Sequence, residues 1–249
     1  MVGSVTTRST FPEAAAAAPP GRQAGPAAVA VRVWDLPTRL FHWLLALTII
    51  GSVVTAKIGG GAMVWHFRLG FLAMGLLLFR IAWGFVGGRW SRFASFVRGP
   101  GTVWRYLRGA ARPGEHLDVG HNPLGAGSVL AMLALLVAQV STGLVADDEI
   151  ANVGPLNKLV ETGTGLAATS WHKTWGQWII ITLVVLHVAA IAFYLLKKRV
   201  NLVGPMWRGD KPLAADVPAS RDDGGTRALA AVLAALAAAG VTWVVRQGG

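Results

Sequence analysis

The chain has 249 residues, of which 53% are hydrophobic and only 14% charged, with a net charge of +11 and no cysteine. An ordinary soluble domain carries charge on about a quarter of its residues, so this composition excludes one and makes the bilayer the natural solvent. The lack of cysteine excludes disulfides, iron–sulfur clusters, thiolate zinc sites and thioether-linked cofactors, leaving histidine, carboxylate or methionine to hold any metal.

The basic residues sit in short connections beside apolar runs rather than on one folded face, so they read as membrane topology and not as a nucleic-acid surface. Residues 1–30 are rich in Ala, Pro, Gly, Ser and Thr, including the run Ala14 to Ala18. They lack the basic-then-apolar order of a cleavable signal and read as a disordered tail.

A first span is predicted from the cap Asp35-Leu36-Pro37 to about Ala56, and a second from about Met63 to Phe85, ending at Gly87-Gly88. The stretch that follows interleaves Arg89, Arg92, Arg98, Arg105, Arg108 and Arg112 with Trp90, Phe93, Phe96, Trp104, Tyr106 and Leu107. Rings and guanidiniums at roughly helical spacing suit the headgroup layer; a solvated loop is the alternative.

A third span is predicted from about Asn122 to Val145 and a fourth from about Ser170 to Leu196, stopped by Lys197-Lys198-Arg199. The connection between them carries Asp147, Asp148, Glu149 and Glu161 against Lys158. Basic connections lie on the cytoplasmic side, so the amino terminus is expected inside a bacterial inner membrane. Trp65, Trp171, Trp175 and Trp178 then form an aromatic belt at the outer interface.

Residues 206–226 read as a polar cytoplasmic linker, and the alanine-rich run within 227–249 as a fifth span; a soluble alanine-rich helix is the alternative. The expected fold is therefore an all-α membrane protein, a four-helix transmembrane bundle over residues 31–205 with an additional C-terminal helix.

Four of the six histidines, His42, His66, His172 and His187, fall within apolar spans, where an unpartnered polar ring is costly. Antiparallel threading puts His42 and His187 in the inner leaflet and His66 and His172 in the outer one. His172 and His187 are fifteen residues apart, about 22 Å along a helix and within about 60° of one face. One imidazole from each of two helices, at each of two heights, matches the axial demand of haem better than the three or four ligands of zinc or copper. Bis-histidine iron has no open position, so the expected role is electron conduction without a catalytic residue.

Each outer histidine is followed four residues on by glycine, Gly70 after His66 and Gly176 after His172, so a macrocycle could lie on bare backbone. Close helix packing is the alternative, and is the reading for Gly75 and Gly143. Arg80 and Arg39 face either inner haem propionates or the interface. His121 reads as a cap or quinone-site residue and His116 as a loop residue.

Several ordered motifs carry a resemblance: Trp34 to Trp43 (WDLPTRLFHW), His66 to Gly70 (HFRLG), Arg80 to Gly87 (RIAWGFVG) with Arg92-Phe93 and Phe96-Val97, Gly120 to Gly125 (GHNPLG), Trp171-His172 and Leu186-His187. Over about residues 31–205 the chain resembles the bacterial cytochrome b561 family, which includes hydrogenase and thiosulfate-reductase b-type subunits. The resemblance implies two haem b groups, His42 with His187 inside and His66 with His172 outside. It also implies exchange of electrons between the quinone pool and a redox partner, such as a c-type cytochrome or a respiratory enzyme subunit. A haem-containing anchor for a larger respiratory enzyme is the alternative role, and a homodimer is allowed. An intramembrane proton relay is disfavoured because the spans offer no carboxylate partners and no broken-helix pair.

Overall fold

The computed structural model describes residues 28–112, 114–214 and 216–248. The expected tail thus lies outside the described residues up to position 27, and strand β1 (Val29–Arg32) spans the predicted boundary at 30.

Helix α1 (Leu36–Ile58) starts where Asp35 accepts from the Thr38 amide and Pro37 fills the first turn, where its missing N–H costs nothing. Helix α2 (Met63–Val86) returns after a turn at Gly60–Ala62, and the arginine-rich connection carries two short helices, α3 (Phe93–Phe96) and α4 (Pro100–Leu107). Helix α5 (Pro123–Val145) is capped by Asn122, which accepts from the Gly125 amide.

The fourth span is longer than predicted. It begins at α6 (Thr162–Trp171), passes through one π-helical turn at His172–Gly176, and continues as α7 (Gln177–Leu196). Short α8 (Val203–Arg208), strand β2 (Asp210–Leu213) and helix α9 (Gly224–Val245) complete the chain. Among the described residues five helical segments are long and apolar enough to cross a membrane, and the protein is a multi-pass membrane bundle.

Residues 206–226 are a folded clasp rather than a plain linker. Strand β2 pairs antiparallel with β1, Val29 opposite Leu213 and Arg32 opposite Asp210. Gly209, at φ 96°, takes the left-handed conformation that ends α8, and its carbonyl accepts from the Val33 and Trp34 amides at 2.9 and 3.0 Å. Val31, Val33, Trp34, Trp90, Val119 and Val217 close a small core beneath this clasp, joining four distant stretches of chain at one end of the bundle. The opposite end holds the turn at Gly60–Ala62 and the acidic loop between α5 and α6, which Gly248 approaches at Pro155.

Helix α9 packs on α2 and α1: Ala230 joins Phe41, Phe79 and Trp83 in one buried cluster, and Gly75 faces Val241. The packing role read for Gly75 is therefore what the structure has.

At the clasp end, Asp35 is fully buried. Its carboxylate accepts from the Thr38 amide, Trp83 Nε1 and Ser91 Oγ at 2.8, 3.1 and 2.7 Å, tying the start of α1 to the end of α2. Asp35→Ala removes a helix cap and hydrogen bonds to a buried charged group, an expected cost of about 3 kcal/mol. Thermal unfolding in detergent should show that loss, with Asp35→Asn, which can still cap, losing less.

Candidate functional site

The four histidines meet in two pairs. The rings of His42 on α1 and His187 on α7 have centroids 6.4 Å apart at an interplanar angle of 51°. Those of His66 on α2 and His172 at the π-turn are 6.0 Å apart at 87°. A metal about 2 Å from each of two imidazole nitrogens puts the ring centres about 6 Å apart, since each centre lies about 1.1 Å behind its nitrogen. Among the described residues no three His, Asp or Glu side chains converge on a metal-sized site, so each pair offers two ligands and no more. That donor set suits a metal whose other positions are filled by a planar macrocycle.

The outer pair borders a cavity of about 380 Å³ between α1, α2, α5 and the fourth span. Its walls include Val53, Phe67, Gly70, Leu136, Gly143 and Ile180. Its polar lining includes Lys57, Asp148, Asn152 and Lys173. An apolar slot with charge confined to a few groups is what a flat hydrophobic group bearing carboxylates requires.

Both outer rings are held by backbone of a neighbouring helix. His66 Nδ1 lies 2.9 Å from the Ser52 carbonyl and His172 Nδ1 2.9 Å from the Gln139 carbonyl. A carbonyl only accepts, so each Nδ1 carries the proton and each Nε2 is left as a lone-pair donor, the tautomer a metal needs.

The π-turn has a geometric consequence for the shared helix. One extra residue in the wide turn amounts to about fourteen helical steps between His172 and His187, bringing the rings within about 40° of one face instead of 60°. Sequence periodicity alone assumed a regular helix and missed this turn.

The inner pair is built differently. His42 Nδ1 is buried with no partner, as are one terminal nitrogen of Arg80 and Nδ1 of His121. Arg80, only 3% exposed, donates to the Ser91 carbonyl at 3.1 Å and lies 5.0 Å from the Phe93 ring, leaving its other terminal nitrogen uncommitted. Arg39 instead donates to the Trp207 carbonyl at 2.7 Å. The cap role read for His121 falls to Asn122; His121 is sandwiched between Trp34 and Phe96, both at 4.8 Å, and burial pushes its imidazole down to about 3. His116 lies in the connection, beside Trp90.

The two outer glycines part company. Gly70 lines the cavity, and a Cβ there would meet open space. The space beside Gly176 is instead taken by the Gln139 side chain and the Trp171 ring. Gly143, read as a packing glycine, also faces the site: a Cβ on it would lie 3.0 Å from His172 Cε1. Gly143 thus packs closely against the His172 ring, and Gly176 against Gln139 and Trp171.

The acidic loop covers the cavity mouth. Asp148 accepts from the amides of Ile150, Ala151 and Asn152 and from Asn152 Nδ2, and these bonds hold its carboxyl well below the usual carboxylate range. Because the folded value lies below an unfolded one of about 3.9, this stabilisation is complete above about pH 4 and is lost as acid carries the pH down through the folded value. The loop is therefore expected to resist limited proteolysis from pH 4 to neutrality, and Asp148→Ala to be cut there at all pH values.

Known proteins resemble the chain over most of its length. A family model described as prokaryotic cytochrome b561 matches residues 33–209. The chain is 29% identical over 194 residues to the probable Ni/Fe-hydrogenase 1 B-type cytochrome subunit of Escherichia coli strain K12, covering 63% of this chain and 80% of that one. It is 28% identical over 228 residues to the probable Ni/Fe-hydrogenase B-type cytochrome subunit of Azotobacter chroococcum mcd 1, covering 76% and 91%. The counterpart of Cupriavidus necator is 27% identical over 217 residues, covering 72% and 86%. No solved structure matches. The chain belongs to the prokaryotic cytochrome b561 family, membrane proteins that carry electrons on haem b.

Proposed function

We propose that this chain carries two haem b groups, an inner one held by His42 and His187 and an outer one held by His66 and His172, and passes electrons between a membrane-associated hydrogenase and the quinone pool. The observation that carries the reading is the pair of imidazole spacings, 6.4 and 6.0 Å, each fitting one metal between two rings.

Held by these histidine pairs, haem b would supply a one-electron couple suited to outer-sphere transfer. The chain's own residues hold, orient and insulate it. The Ser52 and Gln139 carbonyls fix the outer imidazoles, and the apolar walls, Leu136 and Ile180 among them, keep water from the cavity. At the inner end the uncommitted Arg80 nitrogen offers a positive charge for a propionate.

The identity of the relatives as hydrogenase B-type cytochrome subunits supports a hydrogenase as partner. The basic stretches around Arg89 to Arg112 and Lys197 to Arg199 support a cytoplasmic amino terminus and a place in a bacterial inner membrane. The acidic loop then faces outward, where its charge favours a basic docking surface. The second reading, a haem-bearing anchor with little quinone activity of its own, draws on the same identity of the relatives as subunits.

Absorption spectra of the purified protein should show low-spin haem b at a stoichiometry near two. His172→Ala should remove mainly the outer haem and His187→Ala mainly the inner one; full occupancy in either variant refutes the pairing. With quinol added to the reconstituted protein, a conduit reduces its haems within turnover time and an anchor leaves them oxidised.

A further inference from the structure

The π-turn beginning at His172 meets an unusual neighbour. A wide turn disturbs the regular i to i+4 ladder, and buried carbonyls so disturbed need another donor. At His172 that donor is Gln139 on α5, whose Nε2 donates to the His172 carbonyl at 3.0 Å. The backbone carbonyl of the same glutamine accepts from His172 Nδ1 at 2.9 Å, with Thr142 Oγ1 a second contact at 3.3 Å. Gln139 therefore grips His172 by its ring and by its main chain.

The grip depends on a glycine. The Gln139 side chain lies against the Gly176 backbone so closely that a Cβ at position 176 would overlap both Gln139 Oε1 and the Trp171 ring. Gly176 thus makes room for Gln139 and not for the macrocycle. The Oε1 atom is buried without a partner, a cost that a residue placed only for packing would avoid.

We propose that Gln139 is the positioning residue of the outer haem site: through the His172 carbonyl it stabilises the π-turn, and the turn in turn holds the ring at 87° to His66 with Nδ1 on the Gln139 carbonyl. This rests on His66 and His172 being the outer ligands. The Nδ1–H···O=C bond makes Nε2 a stronger donor, which favours the oxidised metal. Release of the turn weakens that bond, so the outer centre should bind less tightly and reduce more easily.

The test uses the full-length holoprotein in detergent, with Gln139→Leu, Gly176→Ala and the double variant, and Gly75→Ala as a packing control at the α2–α9 contact. Haem content, the electron paramagnetic resonance of the oxidised protein and a redox titration are read for both centres. Nearly perpendicular imidazoles give a strongly anisotropic low-spin ferric signal, and smaller angles a narrower one, so ring orientation is read directly.

Gln139→Leu is expected to lower outer-haem retention by about 10- to 100-fold. It should also narrow the anisotropic signal and shift the outer couple about tenfold toward the reduced form, equivalent to 59 mV. The inner centre and Gly75→Ala should stay at parental values. Gly176→Ala should reproduce the effect by displacing the glutamine, and the double variant should be no worse than either single one.

Parental outer spectra and potential in Gln139→Leu, additive losses in the double variant, or loss of both centres together would each overturn the proposal. A parent protein lacking an outer haem would instead sink the ligand assignment on which it rests.

Discussion

An imidazole buried among lipid-facing helices has two nitrogens to satisfy and no water to do it, and that constraint organises the outer half of this bundle. Two carbonyls, Ser52 on α1 and Gln139 on α5, take the Nδ1 protons of His66 and His172. Four spans are thereby bound to one site, although only two of them supply a ring. Helix α5 carries no histidine within its length, yet it is committed through Gln139 and lines the cavity with Leu136, Gln139, Val140, Gly143 and Leu144. With both Nδ1 atoms occupied, the remaining lone pairs belong to Nε2, and the 6.0 Å between ring centres leaves a gap the size of one metal and its bonds.

The inner pair answers the same constraint by other means. His42 Nδ1 has no carbonyl, and around it lie further unsatisfied groups on Arg80 and His121, above a floor of Asp35, Thr38, Trp83 and Ser91 bound to one another. Burial of several uncommitted donors together is expensive for the protein alone, and the cost falls if a bound anionic group meets them. The two sites therefore differ in character: rings at the outer one are preorganised by backbone, whereas the inner one has a buried guanidinium and aromatic surface near its histidines. Differences in hydrogen bonding, charge and burial of this kind are levers that set the potential of a bound haem.

Much of this was legible in the residues. The cap at Asp35 and the basic stop at Lys197 are local signals that the structure repeats, and the four histidine rings stand in the two pairs expected of them, whereas the cap read at His121 belongs to its neighbour Asn122. Periodicity could not reveal the π-turn, because a wide turn is selected by tertiary partners such as Gln139 and not by a pattern in its own sequence. The early start of the fourth helix at Thr162 was hidden by Gly163 and Gly165, weak helix formers, of which Gly165 packs close beside Asn157. Pairing of β1 with β2 joins residues about 180 positions apart, beyond any local signal.

The clasp and the fifth helix bear on the inner site through α1. Asp222 accepts from the Leu36 amide, the first residue of α1, and pairs with both Arg32 and Arg227, so the segment leading into α9 is anchored where α1 begins. Ser220 adds two bonds, donating to the Val33 carbonyl and accepting from the Trp90 amide. His42 lies less than two turns into α1, and Phe41 beside it packs in the cluster that contains Ala230 of α9. Alanine suits that contact because a short side chain lets the helices approach closely without entropy loss on burial. The C-terminal segment thus braces α1 at the start of the helix and, through Phe41, beside His42, and this gives the inner ring, which no neighbouring carbonyl holds, a fixed place opposite His187.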